Sequence, residues 1–307
     1  MNDIEVKGLS KTFGRRKFLA VNDVSFNVKK GEMFGLLGVN GAGKTTLINM
    51  LTGLLKKDNG SIKILGKDPD EDWEYVKNNS NVSTAYFPLS DVLSVRQNLR
   101  IYGKIYNVKN VNERIEELLE QFELTHLGNM KVMNLSSGER TRTALCKGLI
   151  NKPKVLFLDE CTVGLDPDIA EKTRRIIKHY QKDTGATILF TSHYMFEVEE
   201  LCDRIAFMEG GKIVKISTAD QLKKEIKKQT IEISVKDKAP ELRKFLESEN
   251  VDVLLAKDNT IIFEVTYEKD KIYKTLNKIF AQGYMLEDLH IKKPTLDDIF
   301  INFARKK

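Results

Sequence analysis

The segment from Gly38 to Thr45 has the glycine spacing and the final Lys-Thr pair of a phosphate-binding loop. It follows an apolar run typical of a buried strand, Met33–Leu37, and precedes a run typical of a helix, Thr46–Leu51. Glycines let the backbone curl so that successive N–H groups surround phosphate oxygens, and the helix N-terminus adds a positive dipole. The segment therefore predicts a site for a phosphorylated ligand.

Two side chains of this loop supply the chemistry. Lys44 brings a positive charge to the terminal phosphates, and the Thr45 hydroxyl is a ligand for a Mg²⁺ ion that bridges them. The loop predicts a nucleoside triphosphate with Mg²⁺ and leaves ATP and GTP open. The residues predicted to contact the nucleotide here are Gly38, Val39, Asn40, Gly41, Ala42, Gly43, Lys44, Thr45 and Thr46.

Two adjacent carboxylates end another short apolar run, Val155–Leu158. Neighbouring side chains on a strand point to opposite faces, so Asp159 and Glu160 cannot share one role. We expect Asp159 to orient Mg²⁺ and Glu160 to polarise the attacking water as general base.

A serine and a glycine, Ser136 and Gly138, stand at the start of a predicted helix. Together with the helix dipole they can form a second cradle for an anion. The same residues are equally typical of an ordinary helix N-cap, and the local pattern alone leaves both interpretations open.

The order of these motifs resembles that of the ATP-binding cassette (ABC) family over about residues 1–217. Leu135–Glu139 resembles the family's signature sequence, and Gly164–Pro167 resembles its D-loop. The resemblance implies ATP as the nucleotide and a homodimer of cassettes. It also implies that Ser136 and Gly138 contact the γ-phosphate held by the other copy, and that Asp166 works where the two copies meet.

Two further residues receive roles from the same resemblance. His193 follows a strand-like run and matches the family's switch histidine, which implies that it senses the γ-phosphate. Phe13 stands where the family places an aromatic ring that stacks on adenine, although stacking alone does not select adenine over guanine. The predicted catalytic residues are thus Glu160, His193 and Lys44.

The chain departs from the family pattern at a strand end between the phosphate loop and the signature. Members normally have a glutamine there that helps coordinate Mg²⁺, and counting back from the following segment places Ala85 at this position. Ser83, Thr84, Ser90 or a water molecule could take its place. A second departure is Cys161, where proline is common.

Alternation of strand-like and helix-like runs from Asp3 to about Met208 predicts an α/β fold with a largely parallel sheet. Period-two runs near the N-terminus predict an antiparallel β flank, and residues 99–121 predict a helical subdomain. By resemblance this is the P-loop NTPase fold of the ABC cassette, with a RecA-like core.

The remaining chain predicts the order β-α-β-β-α-β, typical of a small ferredoxin-like α+β domain. The predicted boundaries are 1–217 for the nucleotide-binding domain, 218–229 for a connector helix and 230–307 for a C-terminal accessory domain. Pro294–Phe300 resembles the closing motif of cassettes that serve drug, antibiotic, polysaccharide-type and sodium exporters.

The composition is 41% hydrophobic and 31% charged, which is typical of a globular protein. No apolar run approaches the roughly 18 residues that span a bilayer, so a transport role requires separate integral-membrane permease subunits. Without a predicted signal sequence, we expect the chain at the cytoplasmic face of the membrane. The three cysteines show no disulfide or zinc pattern, and the net charge of +6 does not by itself indicate a nucleic-acid partner.

These features predict the ATP-binding and ATP-hydrolysing subunit of a membrane exporter. The alternative is a non-transport or regulatory ABC ATPase with weak hydrolysis, which the alanine at position 85 would allow. A cassette that acts on DNA or ribosomes would carry a coiled-coil insertion or a second cassette, and the sequence has neither. An importer subunit remains a further alternative.

Overall fold

The computed structural model describes residues 1–14, 18–84, 89–224, 228–266 and 269–292. The chain divides into two compact units, residues 1–218 and 219–307. The strands described in the first unit are β1 (Asn2–Phe13), β2 (Phe18–Lys29), β3 (Met33–Leu37), β4 (Asn59–Ile64), β5 (Ser80–Thr84), β6 (Val155–Asp159), β7 (Thr187–Ser192), β8 (Arg204–Glu209) and β9 (Lys212–Ser217). Its α-helices are α1 (Lys44–Leu51), α2 (Trp73–Asn79), α3 (Val95–Ile105), α4 (Val111–Gln121), α5 (Ser137–Leu149), α6 (Pro167–Thr184) and α7 (Met195–Leu201).

The central sheet has the strand order β5-β6-β7-β3-β8-β9, parallel except for the β8–β9 pair. Strands β3, β6 and β7 are buried along their whole length, as expected for parallel strands covered by helices. Leu37 pairs with Ser192, and Asp159 pairs with Thr191. The segments that follow β3, β6 and β7 therefore leave the sheet at one edge, where ligands of α/β folds bind.

A second sheet of the first unit has the antiparallel order β2-β1-β4. Its alternating buried residues, such as Ile4 and Val6 on β1, join one hydrophobic core with Phe34 of β3 and Leu47 of α1. The predicted antiparallel flank is present, with strands longer than the runs seen in the sequence. Because α1 belongs to this core, the helix that follows the phosphate loop is held in place.

The predicted helical subdomain consists of α3 and α4, which contact each other and α5. One stripe of α4 and the residue after it is at most 1% exposed, formed by Ile115, Leu118, Leu119 and Phe122. The period of three and four residues in the sequence predicted this stripe. Packing of α3 and α4 on α5 fixes the helix that begins at Ser137.

The described elements of the second unit are α8 (Ala219–Lys224), β10 (Lys228–Val235), α9 (Ala239–Ser248), β11 (Asp252–Lys257), β12 (Thr260–Thr266), α10 (Lys269–Ala281) and β13 (Leu286–Lys292). Its strands form an antiparallel sheet with the order β11-β12-β10-β13. A core of its own includes Ile231, Phe263 and Leu246. The described elements follow the predicted order β-α-β-β-α-β.

The predicted connector helix, residues 218–229, does not extend as far as expected. Helix α8 ends at Lys224 in the described chain, and Lys228 and Gln229 already pair with β12 as part of β10. Gln229 is only 6% exposed. The lysine-rich sequence predicted a solvated helix at this position, but the residue belongs to a buried part of a strand. Ala85 and the segment Pro294–Phe300 lie outside the described residues.

Candidate functional site

The phosphate loop connects β3 to α1 and depends on glycines at two close approaches. A Cβ atom on Gly38 would lie 2.3 Å from the Met208 carbonyl oxygen, and one on Gly43 would lie 2.3 Å from the Ala20 carbonyl oxygen. Gly43 also has φ +102°, in the left-handed region that favours glycine. The loop can therefore curl tightly against β2 and β8 only with these residues.

Lys44 is 5% exposed and lies within the loop that it completes. Its Nζ donates hydrogen bonds to the Gly38 carbonyl at 2.7 Å and to the Val39 carbonyl at 3.3 Å. Burial lowers the pKa of Lys44, and the charges of Glu160 and Asp159 oppose that shift. The ammonium group thus lies at the centre of the loop, beside two carboxylates.

Asp159 ends β6 and is 3% exposed. Burial raises the pKa of this carboxyl, whereas hydrogen bonds from Thr191 and Thr45 and the charge of Lys44 lower it. Its Oδ1 accepts from the Thr191 hydroxyl at 2.6 Å. The Asp159 carboxylate also accepts a hydrogen bond from the Thr45 side chain. The oxygens of these two side chains form a hard donor set that suits Mg²⁺, so the residues present fit that ion.

Glu160 follows the strand instead of lying on it, which differs from the sequence expectation. Its φ is +52°, a left-handed conformation that is uncommon for a residue with a side chain. The N–H donates to the Thr191 carbonyl at 3.1 Å and to its hydroxyl at 3.2 Å, and these bonds hold the turn. This backbone turn, and not strand alternation, separates the Glu160 side chain from that of Asp159.

His193 lies next to Glu160. Its Nδ1 is 3.6 Å from Glu160 Oε1, and its side chain is 36% exposed. The ring lies 4.2 Å from the Tyr194 ring, centroid to centroid. The loops after β6 and β7 thus bring together the two residues to which the sequence assigned base and switch roles.

A cavity of about 270 Å³ lies between the β1–β2 hairpin, the phosphate loop and the turn after β6. Its lining residues are Phe13, Phe18, Ala20, Asn40, Gly41, Gly43, Lys44, Thr45, Thr46 and Glu160. Phe13 is 40% exposed, with the Lys11 ammonium 5.7 Å from its ring centroid. Val39 is exposed and Ala42 is buried, and neither lines the cavity. The cavity has an apolar end suited to a base and a basic end suited to phosphates.

Three residues of this site were not predicted from the sequence: Phe18, Ala20 and Thr191. Phe18 pairs with Phe13 across the β1–β2 ladder and also lines the cavity. Thr191 binds Asp159 and the Glu160 backbone at once. The hairpin pairing of two exposed phenylalanines could have indicated Phe18, but nothing in the sequence pattern singles out Thr191.

The structure places the candidates for the missing glutamine differently. Thr84 ends β5 and pairs in register with Asp159. Ser83 precedes it on the same strand, and both side chains are buried. Ser90 is exposed, and its N–H donates to the Asn98 side chain at 2.8 Å. Of these three, the sheet brings Thr84 next to the acidic pair.

The signature segment lies outside the described cavity lining. Ser136 is exposed and caps α5: its hydroxyl accepts from the Glu139 N–H at 3.3 Å, and Glu139 Oε2 accepts from the Ser136 N–H at 2.8 Å. A Cβ atom on Gly138 would lie 3.7 Å from the Gly164 carbonyl oxygen, so this turn packs beside the D-loop of its own chain. Asp166 is exposed at the N-terminus of α6.

The arrangement has the parts required for transfer of a γ-phosphoryl group to water. Backbone N–H groups and Lys44 can hold the phosphates, Asp159 and Thr45 can hold a metal, and Glu160 can accept a proton. Positioning and electrostatic stabilisation supply most of the catalysis in such reactions.

Two family models match the sequence. Residues 21–163 match the model described as ABC transporter, and residues 218–304 match the model described as ATP-binding protein DrrA1-3-like, C-terminal domain. The first match lies within the first compact unit, and the second begins at the end of that unit and extends through most of the second.

Curated relatives match over nearly the whole chain. The doxorubicin resistance ATP-binding protein DrrA of Mycobacterium tuberculosis is 33% identical over 97% of this chain and 92% of its own length. The linearmycin resistance ATP-binding protein LnrL of Bacillus subtilis is 31% identical over 98% of each chain.

A solved structure shares the fold of the first unit. It is a dimeric ATP-binding cassette in a post-hydrolysis state with ADP and phosphate, 24% identical, with a TM-score of 0.66. The match covers 70% of this chain and 98% of the solved one.

Proposed function

Because the chain belongs to the ABC transporter family and is an ATP-binding, ATP-hydrolysing subunit, we propose that two copies of it power an exporter through a separate membrane permease. Family membership confirms the predicted P-loop α/β fold and the predicted ATPase. It favours the transport interpretation over a regulatory ATPase with weak hydrolysis.

The exporter class is supported by relatives that match both compact units. Their names describe resistance to doxorubicin and to linearmycin. In the described residues no helix is long and apolar enough to cross a membrane. As part of the proposal, the passage for cargo would belong to the permease, and this subunit would bind at its cytoplasmic face.

The observation that carries the catalytic proposal is that Lys44 and Glu160 line one cavity and that His193 lies beside Glu160. Lys44 comes from the phosphate loop, Glu160 from the turn after β6, and His193 from the turn after β7, with its Nδ1 3.6 Å from Glu160 Oε1. Glu160 would accept the proton of the attacking water, and His193 would contact the γ-phosphate. Phe13 would stack on the adenine.

Mg²⁺ would be held by Thr45 and Asp159. Thr84 pairs with Asp159 in the sheet and is thus next to this metal site. Held by these residues, the ion would supply positive charge that offsets the negative charge developing during phosphoryl transfer. Burial raises the pKa of Asp159 and so disfavours its charged form, and a bound cation would offset this by stabilising the carboxylate.

The second half of each site would come from the partner copy. Ser136 and Gly138 lie at an exposed helix start, outside the cavity lining, where they can meet a nucleotide on another chain. A solved relative of the same fold is a dimer. We place Asp166 where the two copies meet, so that each ATP binds between a phosphate loop and the partner's signature turn.

The transport cycle follows from this geometry. ATP bound in both composite sites stabilises the closed dimer, and loss of the γ-phosphate removes that preference. Closure and reopening would move the permease between two conformations.

The test is Mg²⁺-dependent ATP hydrolysis by the wild type and by Glu160→Gln, with dimerisation followed by light scattering. We expect turnover to fall by about 10²-fold or more in the variant, because a general base is lost, while ATP binding persists and traps the dimer. Glu171→Gln, an exposed carboxylate on α6 paired with Arg175, serves as the control. A wild type that binds ATP without turnover or dimerisation would favour the regulatory alternative.

A further inference from the structure

Helix α7 contains a buried carboxylate to which no role has been assigned so far. Glu197 is 1% exposed and lies one turn after the switch histidine. A buried charge is strongly destabilising unless it is paired and hydrogen-bonded. Its partners therefore indicate why the fold keeps it.

One oxygen of Glu197 accepts hydrogen bonds from two hydroxyl groups. Thr162 Oγ1 donates to Glu197 Oε2 at 2.8 Å, and Ser192 Oγ donates to the same oxygen at 2.7 Å. Both hydroxyl residues are at most 4% exposed. Thr162 lies two residues after Glu160, and Ser192 directly precedes His193, so a single oxygen joins the two catalytic loops.

The other oxygen of Glu197 is fixed by an arginine. Arg174 NH1 lies 3.3 Å from Glu197 Oε1, and Arg174 Nε donates to Glu200 at 2.7 Å. The guanidinium also lies 5.1 Å from the centroid of the Phe196 ring. Arg174 belongs to α6, so the carboxylate also connects this helix to the two loops.

The two hydroxyls also fix the backbone around the catalytic residues. Ser192 Oγ accepts from the Tyr194 N–H at 2.9 Å and so bridges the turn that contains His193. On the other side, the Val163 N–H donates to the Glu160 carbonyl at 3.2 Å across the turn that contains Thr162. The separation of 3.6 Å between His193 and Glu160 is set by these two turns.

We propose that Glu197 is a positioning residue that, through Thr162 and Ser192, keeps the Glu160 loop and the His193 loop in one catalytic arrangement. Glu197 contacts neither nucleotide nor water in this role. The inference rests on the roles proposed above for Glu160 and His193. Because both hydroxyls share one carboxylate oxygen, displacement of either loop breaks a hydrogen bond to a buried charge, and the two loops move as one unit.

The test compares Thr162→Val with Thr162→Ser in the full chain. Valine keeps the shape and removes the hydroxyl, whereas serine keeps the hydroxyl. We expect Thr162→Val to lower kcat about tenfold with KM for ATP unchanged within about twofold, because small misplacements of catalytic groups reduce rate more than binding. Thr162→Ser should return kcat to within about twofold of the wild type.

A second arm tests the shared oxygen. Ser192→Ala should also lower kcat, and the double variant with Thr162→Val should lose less than the product of the single effects, since both act through Glu197. Glu200→Gln is the matched control: it lies on the same helix and contacts the same Arg174, but its side chain is 41% exposed and it binds neither hydroxyl. Its kcat should stay at the wild-type value.

Thermal unfolding of each variant separates positioning from stability. If Thr162→Val lowers the melting temperature while kcat per folded molecule is unchanged, or if Thr162→Ser fails to restore kcat, the proposal is wrong. Failure of the underlying function has a different signature: Glu160→Gln and His193→Ala would then leave turnover intact.

Discussion

Helices α1 and α5 both begin at a glycine-containing turn suited to anions, yet their first turns differ. The N-cap of α1 is Gly43, which has no side chain to satisfy the first N–H groups. The N-cap of α5 is Ser136, which forms a reciprocal capping box with Glu139. The phosphate loop thus leaves its donors for a ligand, whereas the signature turn satisfies part of its own and, in the proposed dimer, would meet the partner's nucleotide with an exposed edge.

The two helices also contain one buried lysine each, in different surroundings. Burial lowers the pKa of Lys44, but the Asp159 and Glu160 charges oppose this, as suits a cation that must bind phosphate. Burial lowers the pKa of Lys147 to about 8, and its Nζ donates to the Val82 carbonyl at 2.8 Å. The first lysine serves the ligand, and the second ties α5 to β5.

The largest difference between the two turns should appear in ATP binding by a single chain. Lys44→Ala should weaken binding about 10- to 100-fold, because charge-assisted bonds to phosphate are lost. Ser136→Ala should change it by less than about twofold, since this serine meets the partner's nucleotide. Titration with a fluorescent ATP analogue at protein concentrations that keep the chain monomeric measures both.

The same Ser136→Ala protein should show impaired ATP-dependent dimerisation when the protein concentration is raised. An equal loss of monomer binding in the two variants would contradict the division between the turns. Ser137→Ala, the exposed neighbouring serine, is the control for a general effect on the turn.

The second prediction concerns the buried lysine of α5. Its pKa of about 8 in the folded state is below the usual lysine value of 10.5, so the unfolded chain binds more protons between these values. The free energy of unfolding should therefore rise with pH across this window, by about 1–3 kcal/mol from this residue. Lys147→Met should lack that contribution.

Urea unfolding of wild type and Lys147→Met at pH 7.5 and pH 10 gives this difference, and subtracting the two proteins removes the titration of other groups. Parallel behaviour of the two proteins would mean that the lysine is not desolvated as its burial indicates.

The smallest expected effect concerns the charge on the signature turn. A backbone hydrogen bond from Ser136 lowers the pKa of Glu139, which keeps an anion at the place where a phosphate is expected to bind. Glu139→Gln should remove this repulsion and lower the ATP concentration needed for dimerisation by about threefold, as is typical of one exposed charge. The box at Ser94 shows that glutamine can cap, because Gln97 fills the equivalent position in α3.

Light scattering during an ATP titration, with Glu160→Gln as background, measures this shift. Unchanged or weaker dimerisation at equal thermal stability would show that the Glu139 charge does not oppose the partner's phosphate.

The local patterns that predicted correctly were those with a strong physical constraint. Apolar runs predicted β3 and β6, and spacing of three and four predicted the buried stripe of α4. Sequence reasoning failed where competing local preferences were close. Lys228 and Gln229 favoured a helix by composition, but pairing with β12 made them part of a strand.

The sequence by itself determined the phosphate loop, the family and the identity of the acidic and histidine residues, because each depends on residue types at short, fixed spacings. Only the tertiary structure decided how those residues act together. Glu160 adopts a left-handed turn, and Thr191 holds that turn by a hydrogen bond across 31 residues. Thr162 and Glu197, which also share a hydrogen bond, are 35 residues apart. Hydrogen bonds between distant loops produce no periodic pattern in the sequence. A threonine or serine that makes such a bond cannot be distinguished in the sequence from one that does not, because only the folded sheet brings its partner near.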